Sequence, residues 1–367
     1  MSDTPVKIGV VLPLTGAEQL FGSQGLQGAQ MAVAEINAAG GVLGGRPLEL
    51  VIEDEQTDTG LAEKLTEKVI TQDGVLAVMG PTSSADRNAM LAICTQHRTP
   101  LLYATDYEGG ACSRYLFCYS PIPDHYVKPL VPHLMADGGN SFAIIGADYV
   151  WPTSIGASFR AEVSARGGTV VSEEYLPPDV GEFDKNLQRI ADSGADNVVM
   201  MLLGTNGQAF IRQFAARQWK QRPTLTVMAF NENYMQGLTP QECEGIMTGA
   251  PFLANLNRPE TISFVERQKA MFGPDTVVSY FAESHYGLLM FLHTAIEQAG
   301  TDDREAVIDA MGDQTLVIGN GPVTLRAEDH HMILNMVIAQ VQDGELTMTD
   351  YIGPVAPADQ CRGHGPR

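Results

Sequence analysis

The feature that most constrains this chain is a repeated phrase: a short apolar run, a turn of small and hydroxyl residues, then a helical pattern. Val6–Leu12 (VKIGVVL) is such a run, and it ends at Pro13, Leu14, Thr15 and Gly16, with Thr15 placed to cap the next helix. Residues 24–39 carry Leu26, Ala29, Met31, Ala32, Val33 and Ile36 at helical spacing and stop at Gly40 and Gly41. Residues 46–53 (RPLELVIE) form the next strand. A strand, a helix and a strand in this order make a βαβ unit, because parallel strands need a crossover between them.

The phrase recurs with helices predicted over 60–72 and 83–96 and strands over 75–79 and 100–103. After Pro121, Ile122 and Pro123 the rhythm restarts, with helices over 126–136, 154–166, 183–193 and 208–218 and strands over 141–145, 169–174, 197–203, 224–229 and 246–250. Helices over 261–271, 282–299 and 304–311, strands over 321–325 and 332–341, a short turn over 342–345 and a polar tail close the chain. A length of 367 residues exceeds one ordinary core. The expected fold is α/β, with two doubly wound, Rossmann-like lobes.

Several strands end in polar residues, and α/β proteins place ligands at that C-terminal edge, where backbone N–H groups and hydroxyls are free. Residues 99–126 are the clearest case. An apolar strand gives way to Tyr103, Ala104, Thr105 and Asp106, then to Tyr107, Glu108, Gly109 and Gly110. Ser83 and Ser84 come after the turn at Gly80 and Pro81, Tyr149 and Trp151 after the strand over 141–145, Thr205 after Gly204, and Asn231 and Glu232 after Phe230.

The functions these residues exclude narrow the field. Lys and Arg total 23 against 44 Asp and Glu, and a net charge of -21 repels nucleic-acid phosphates and anionic lipid. No apolar run approaches the roughly 18 residues needed to span a bilayer. No glycine-rich phosphate loop succeeds a strand, and no Cys or His spacing matches a zinc site. His330 and His331 are adjacent, so on a strand they point to opposite faces, cannot share one ion, and read as surface or crossing residues. Ser83 and Ser84 lack a nucleophile elbow and read as a helix cap and as ligand anchors. Glu232 has no nucleophile beside it and reads as an acceptor for a ligand N–H. No catalytic residues, cofactor or metal are expected. Trp151 reads as packing and Tyr149 as a cleft residue.

Of the cysteines at 94, 112, 118, 243 and 361, Cys112 and Cys118 flank a short loop and are candidates for a disulfide, which would imply an oxidising compartment. Two unlinked thiols are the alternative, since five cysteines fix no connectivity. The first residues, MSDTPVKIGV, enter a strand without a basic stretch succeeded by an apolar one, so either the chain is cytoplasmic or a leader has been replaced.

The run IGVVLPLTG and, after it, AVAEINAAGGVLGGRPLELVIED resemble the start of type I periplasmic binding proteins, the receptors of branched-chain amino acid and amide or urea uptake systems. Tyr103, Ala104 and Thr105 ahead of YEGG, and GADYVWPTS over 146–154, resemble most closely the short-chain amide and urea receptors and the related cytoplasmic amide sensor. The resemblance implies two lobes, residues 1–120 plus 253–327 and residues 121–252 plus 328–367, joined by three crossings near 119–123, 251–254 and 326–329 that act as hinges. It places Ser84, Tyr103, Thr105, Tyr107, Tyr149, Asn231 and Glu232 on a ligand cleft. Thr82 stands where the amide sensor has an aromatic, which implies a larger and less apolar pocket.

The resemblance further implies a non-enzymatic receptor for a small polar organic solute, amide or urea-like, delivered to the membrane permease of an ABC importer. The expected location is periplasmic or lipid-anchored. The alternatives are an amino-acid receptor of the same family and a cytoplasmic amide sensor, with an amidohydrolase least expected.

Overall fold

The computed structural model describes residues 4–136, 139–177, 180–363 and 365–366. The chain forms two compact units: Met1–Ser120 with Asn257–Leu334 and Ala356–Arg367, and Pro121–Leu256 with Asn335–Val355.

The first unit opens with β1 (Val6–Leu12), α1 (Gln19–Ala38), β2 (Leu48–Asp54), α2 (Thr59–Thr71), β3 (Ala77–Met79), α3 (Ser84–Gln96), β4 (Leu101–Tyr103) and β5 (Leu116–Cys118). Its sheet has the order β2-β1-β3-β4-β5 with every pairing parallel. The order reverses between β1 and β3, so the connections leaving those two strands diverge and open a crevice there.

The second unit contains α4 (Pro123–Met135), β6 (Ser141–Ala147), α5 (Val150–Ala165), β7 (Thr169–Leu176), α6 (Asp184–Ser193), β8 (Asn197–Met201), α7 (Gly204–Ala216), β9 (Thr224–Val227), the short α8 (Pro240–Cys243) and β10 (Met247–Ala250). Strands β7-β6-β8-β9-β10 are parallel neighbours. Their core gathers Phe183, Phe210, Phe214 and Phe230 around Val198, Met200 and Val227.

The chain then returns to the first unit as α9 (Pro259–Phe272), α10 (Tyr280–Ala299), α11 (Arg304–Met311), β11 (Gln314–Ile318) and β12 (Gly321–Leu325). β13 (Met332–Gln342) starts beside β12 and ends antiparallel to β10, and β14 (Glu345–Val355) pairs with β13. Within the first unit, α10 packs directly on α1 because glycines leave room. A Cβ on Gly28 would lie 2.1 Å from the Ala282 carbonyl oxygen, and one on Gly25 2.6 Å from the His285 ring.

The structure corrects the sequence reading in four places. Residues 345–355, expected as a turn and polar tail, form β14, while β5 and β11 also lie where no strand was expected. Residues 356–367 and 328–334 belong to the first unit, not the second, and residues 253–256 belong to the second. The disulfide joins Cys112 to Cys361, whereas Cys118 is a buried free thiol in β5. Burial raises the Cys118 thiol to about 12.

His330 and His331 are the fourth correction, because both are buried. His330 adopts a left-handed backbone, which takes it out of the strand, and its ring stacks on Phe117 with centroids 4.2 Å apart.

Candidate functional site

In the first unit the polar strand ends converge on the start of α3. Ser83 caps that helix by accepting from the Asp86 amide at 3.0 Å. Ser84 Oγ donates to Glu108 Oε2 at 2.7 Å, and Arg87 Nη2 donates to Glu108 Oε1 at 3.0 Å. Arg87 is almost fully buried and lies 4.4 Å from the Tyr107 ring centroid and 5.2 Å from that of Tyr103. Those rings meet edge to face. The aromatic pair thus holds the guanidinium, which holds Glu108, which orients Ser84.

Tyr103 and Tyr107, expected on the cleft, are fully buried. Tyr103 donates its hydroxyl proton to the Thr82 carbonyl at 3.2 Å, and the Tyr107 hydroxyl meets His331 Nε2. The His331 ring is fixed in turn by the Asp329 carbonyl, 2.7 Å from Nδ1. At the end of β4, the Ala104 carbonyl accepts from Ser284 Oγ at 3.1 Å and Thr105 Oγ1 donates to the Pro81 carbonyl at 3.3 Å. Asp106 accepts from the Tyr280 hydroxyl at 2.9 Å, and burial pushes its carboxyl up to about 7.

A second set of carboxylates lies where the connections from β1, β2 and β3 meet. Thr82 Oγ1 bonds Glu18 Oε2, and Thr59 Oγ1 bonds Asp86 Oδ1. Glu55 has no solvent exposure; its Oε2 accepts from the Asp58 amide at 3.1 Å and its Oε1 has no partner. Burial first, then the charge of Asp86, raises the Glu55 carboxyl to about 8. Burial also raises Glu18. None of these three acids was singled out from the sequence, where Glu55 sits in the run EDEQTD and looks like a solvated face. Arg87 and His331 were missed as parts of the site for a similar reason: their roles depend on contacts remote in sequence.

In the second unit, Tyr149 stands at the N-terminus of α5 with 41% of its surface exposed, and Trp151 is buried. Thr205 lies exposed in the first turn of α7. Asn231 is fully buried and holds its own turn: Nδ2 donates to the Ala229 carbonyl at 2.9 Å, and Oδ1 accepts from the Asn233 and Tyr234 amides. Its amide is therefore committed to the backbone.

Glu232 differs from Asn231. Its Oε1 accepts from the Ala254 amide at 2.7 Å, Oε2 is buried without a partner, and burial raises the carboxyl to about 7. A cavity of about 230 Å³ beside it is lined by Met235, Gln236, Leu238, Thr239, Pro240, Cys243 and Gly344. Among the described residues no group of three or more His, Cys, Asp or Glu side chains is placed to hold a metal ion, and no helix is long and apolar enough to cross a membrane.

Two α/β units with parallel sheets and polar strand ends, threaded by a chain that leaves each and returns, define a two-lobe binding protein of the type I periplasmic architecture. The chain belongs to the periplasmic binding protein family, which it matches over residues 5–345. This is a family of binding proteins rather than enzymes.

It is 23% identical over 344 residues to the Leu/Ile/Val-binding protein homolog 6 of Brucella melitensis, covering 92% of this chain and 87% of that one. It is 25% identical over 289 residues to homolog 8 of Brucella abortus, covering 73% and 70%. Among solved structures, an amino acid ABC transporter substrate-binding protein from Pseudomonas fluorescens Pf-5 superposes with a TM-score of 0.88 at 19% identity over 99% of both chains. A solute-binding protein from R. palustris in complex with benzoate gives a TM-score of 0.85 at 19% identity, covering 97% and 98%. A branched-chain amino acid transporter substrate binding protein from Streptococcus pneumoniae in complex with isoleucine gives 0.83 at 20%, covering 96% and 100%.

Proposed function

We propose that this chain is the solute receptor of an ABC importer, and that it captures a small, N–H-bearing solute of amide or urea type and passes it to a membrane permease. The observation that carries the reading is Glu232. A buried carboxylate with one oxygen satisfied and the other open is costly unless a ligand N–H completes it. In this reading the first unit offers Ser83, Ser84, Ala104 and Thr105 as polar groups for a solute, with Tyr103 and Tyr107 as supports behind them, and the second unit, taken by itself, offers Tyr149 and Thr205, with Asn231 as a support. Lobe closure on the solute is in keeping with the family architecture, and the radius of gyration is expected to fall when solute is added. The Cys112–Cys361 disulfide supports delivery to an oxidising compartment such as the periplasm.

A second reading, an amino-acid receptor, is favoured by the Leu/Ile/Val-binding relatives and the isoleucine-bound structure. In it Glu232 pairs with the ammonium and the first-turn amides of α3 hold the carboxylate. Calorimetry with urea, acetamide, propionamide and leucine separates the two. At about 1.5 kcal/mol per heavy atom, a ligand of roughly four heavy atoms gains at most ~6 kcal/mol, or tens of micromolar. Amide or urea binding near that strength, without product, is the expected result. Sub-micromolar leucine binding with silent amides selects the second reading, and product formation would exclude a receptor.

A further inference from the structure

We infer that the C-terminal segment fastened by the Cys112–Cys361 bond is a redox-controlled positioning element for the solute groups of the first unit, so that the oxidised chain binds its solute more tightly than the reduced one. The inference rests on the receptor reading and adds regulation to it.

The segment is placed where the site has least support of its own. Residues 104–115, between β4 and β5, contain neither helix nor strand, and Gly109 and Gly110 both take positive φ. The run that carries Glu108 therefore has backbone freedom that contacts from elsewhere must remove. The segment grips that run on both sides of Glu108. On the far side Cys361 is bonded to Cys112, and Gln360 Oε1 accepts from the Gly110 amide at 2.6 Å. On the near side the grip passes through Asp329, which is 1% exposed. Asp329 Oδ2 accepts from the Gln360 amide at 2.9 Å, and its Oδ1 accepts from the His331 amide at 3.1 Å. The Asp329 carbonyl also fixes His331 Nδ1, so that Nε2 meets the Tyr107 hydroxyl. Tyr107 packs on Arg87, and Arg87 and Ser84 both bond Glu108. Contacts thus run without a break from the chain terminus to the hydroxyl offered to solute.

The bond is open to attack from outside, because Cys112 is exposed whereas Cys361 is buried. Exposed disulfides are the reducible ones. A dithiol reductant attacks the Cys112 sulfur as its thiolate, and Cys361 leaves as a thiolate and takes a proton. The second thiol of the reductant then displaces Cys112, leaving two protein thiols and the reductant as a cyclic disulfide, with two electrons and two protons transferred. Only hydrogen bonds hold the segment after that, and the Gly110 bond lies exposed, where water competes for the same groups. Loss of the Gln360 amide leaves the buried Asp329 carboxylate short of a donor, and the hold on His331 and Tyr107 loosens with it.

Calorimetry on the full chain, oxidised and after treatment with dithiothreitol, uses urea, acetamide, propionamide and leucine as probes. A probe that binds is expected to bind at least tenfold more weakly after reduction. Hydrogen exchange followed by mass spectrometry is expected to run at least tenfold faster over residues 104–113 of the reduced chain and at an unchanged rate in β1 and β3, which also checks that the reduced chain is folded. Gln360→Ala keeps the disulfide and removes the Gly110 bond; it is expected to bind at least threefold more weakly, and it decides the matter where the reduced chain unfolds. Tyr107→Phe keeps the ring on Arg87 and cuts the link to His331, so it is expected to shrink the oxidised-to-reduced affinity ratio at least threefold, which general loss of stability would not do. Equal affinity in both redox forms, unchanged affinity in Gln360→Ala, or a ratio indifferent to Tyr107→Phe overturns this inference and leaves the receptor reading standing. Silence from all four probes in the oxidised form overturns the amide, urea and amino-acid readings and this inference together.

Discussion

Cys112 is bonded to Cys361 with Cα atoms 5.1 Å apart and a sequence separation of 249, while Cys118, at the far end of a short loop from Cys112, stays reduced. The bond fastens the chain terminus to the loop after β4. Around it Gln360 Oε1 accepts from the Gly110 amide at 2.6 Å, and Arg326 Nη1 donates to the Pro357 carbonyl at 2.6 Å. The terminal segment is thereby tied to the buried Arg326–Asp329–His331 group that supports Tyr107.

Removing that bond is expected to cost stability without changing the fold. A loop this long loses about 5.5 kcal/mol when its cross-link is cut, by the chain-entropy account. Urea unfolding of Cys361→Ala, or of the reduced protein, checks this. Thiol titration of denatured protein should find only Cys94, Cys118 and Cys243 before reduction. An equal loss of stability from Cys118→Ala, matched by loss of the bond, would refute the pairing.

Gly28 offers a test in which two effects oppose. Inside a helix, Gly to Ala ordinarily gains about 1 kcal/mol. Here the added Cβ would fall 2.1 Å from the Ala282 carbonyl oxygen, and backbone cannot yield as a flexible side chain can. Overpacking of this kind costs about 1–3 kcal/mol, so Gly28→Ala is expected to destabilise. Gly60, at the start of α2, has nothing nearer than Asp58 Oδ1 at 3.5 Å, so Gly60→Ala is the control expected to be neutral or stabilising. Chemical denaturation of both variants decides it.

The buried acids make stability fall as pH rises. Glu283 is 2% exposed, and burial raises its carboxyl to about 8 against the stabilising bond from the Tyr119 hydroxyl at 2.9 Å. A carboxyl whose folded pKa lies above its unfolded value holds its proton more tightly when folded. Its contribution is therefore complete below about pH 4.5 and is lost as pH climbs through about 8, each pKa unit being ~1.4 kcal/mol. Asp106 acts in the same sense up to about 7. Unfolding free energies between pH 5 and pH 8 are expected to decline, and Glu283→Gln to flatten that slope. A slope of unchanged steepness in the variant would show that other groups set it.

The layout of the fold was legible because each buried strand is a short apolar run closed by turn residues, as in VKIGVVL before Pro13. The elements that escaped lack that signature. β14 is largely exposed along one side, and its hairpin with β13 is announced only by Asp343 and Gly344, both at positive φ, the Asp-Gly pair that tight hairpins favour. β5 has three residues and no flanking punctuation. At the site, the strand-end positions of Ser84 and Glu232 could be read from sequence. The burial of Glu55 and the inward turn of the Ser84 proton could not, because both depend on packing between segments far apart in the chain.

Glu232→Gln separates affinity from stability, and so tests the role of the residue better than activity loss alone. The carboxylate is charged only against its burial, which raises it to about 7, and its Oε2 finds no donor within its own unit. Glutamine keeps an oxygen for the Ala254 amide and removes the charge, so the solute-free variant is expected to melt higher than the parent at pH 8 and equally at pH 5. Solute affinity is expected to move the other way. A neutral amide, which needs only an acceptor, should lose little, whereas a solute that presents a cation here should lose several kcal/mol because its counter-charge has gone. Melting curves at the two pH values with calorimetry on one probe of each kind read out both effects. A variant that melts lower than the parent at pH 8 while binding unchanged would show Glu232 to be structural.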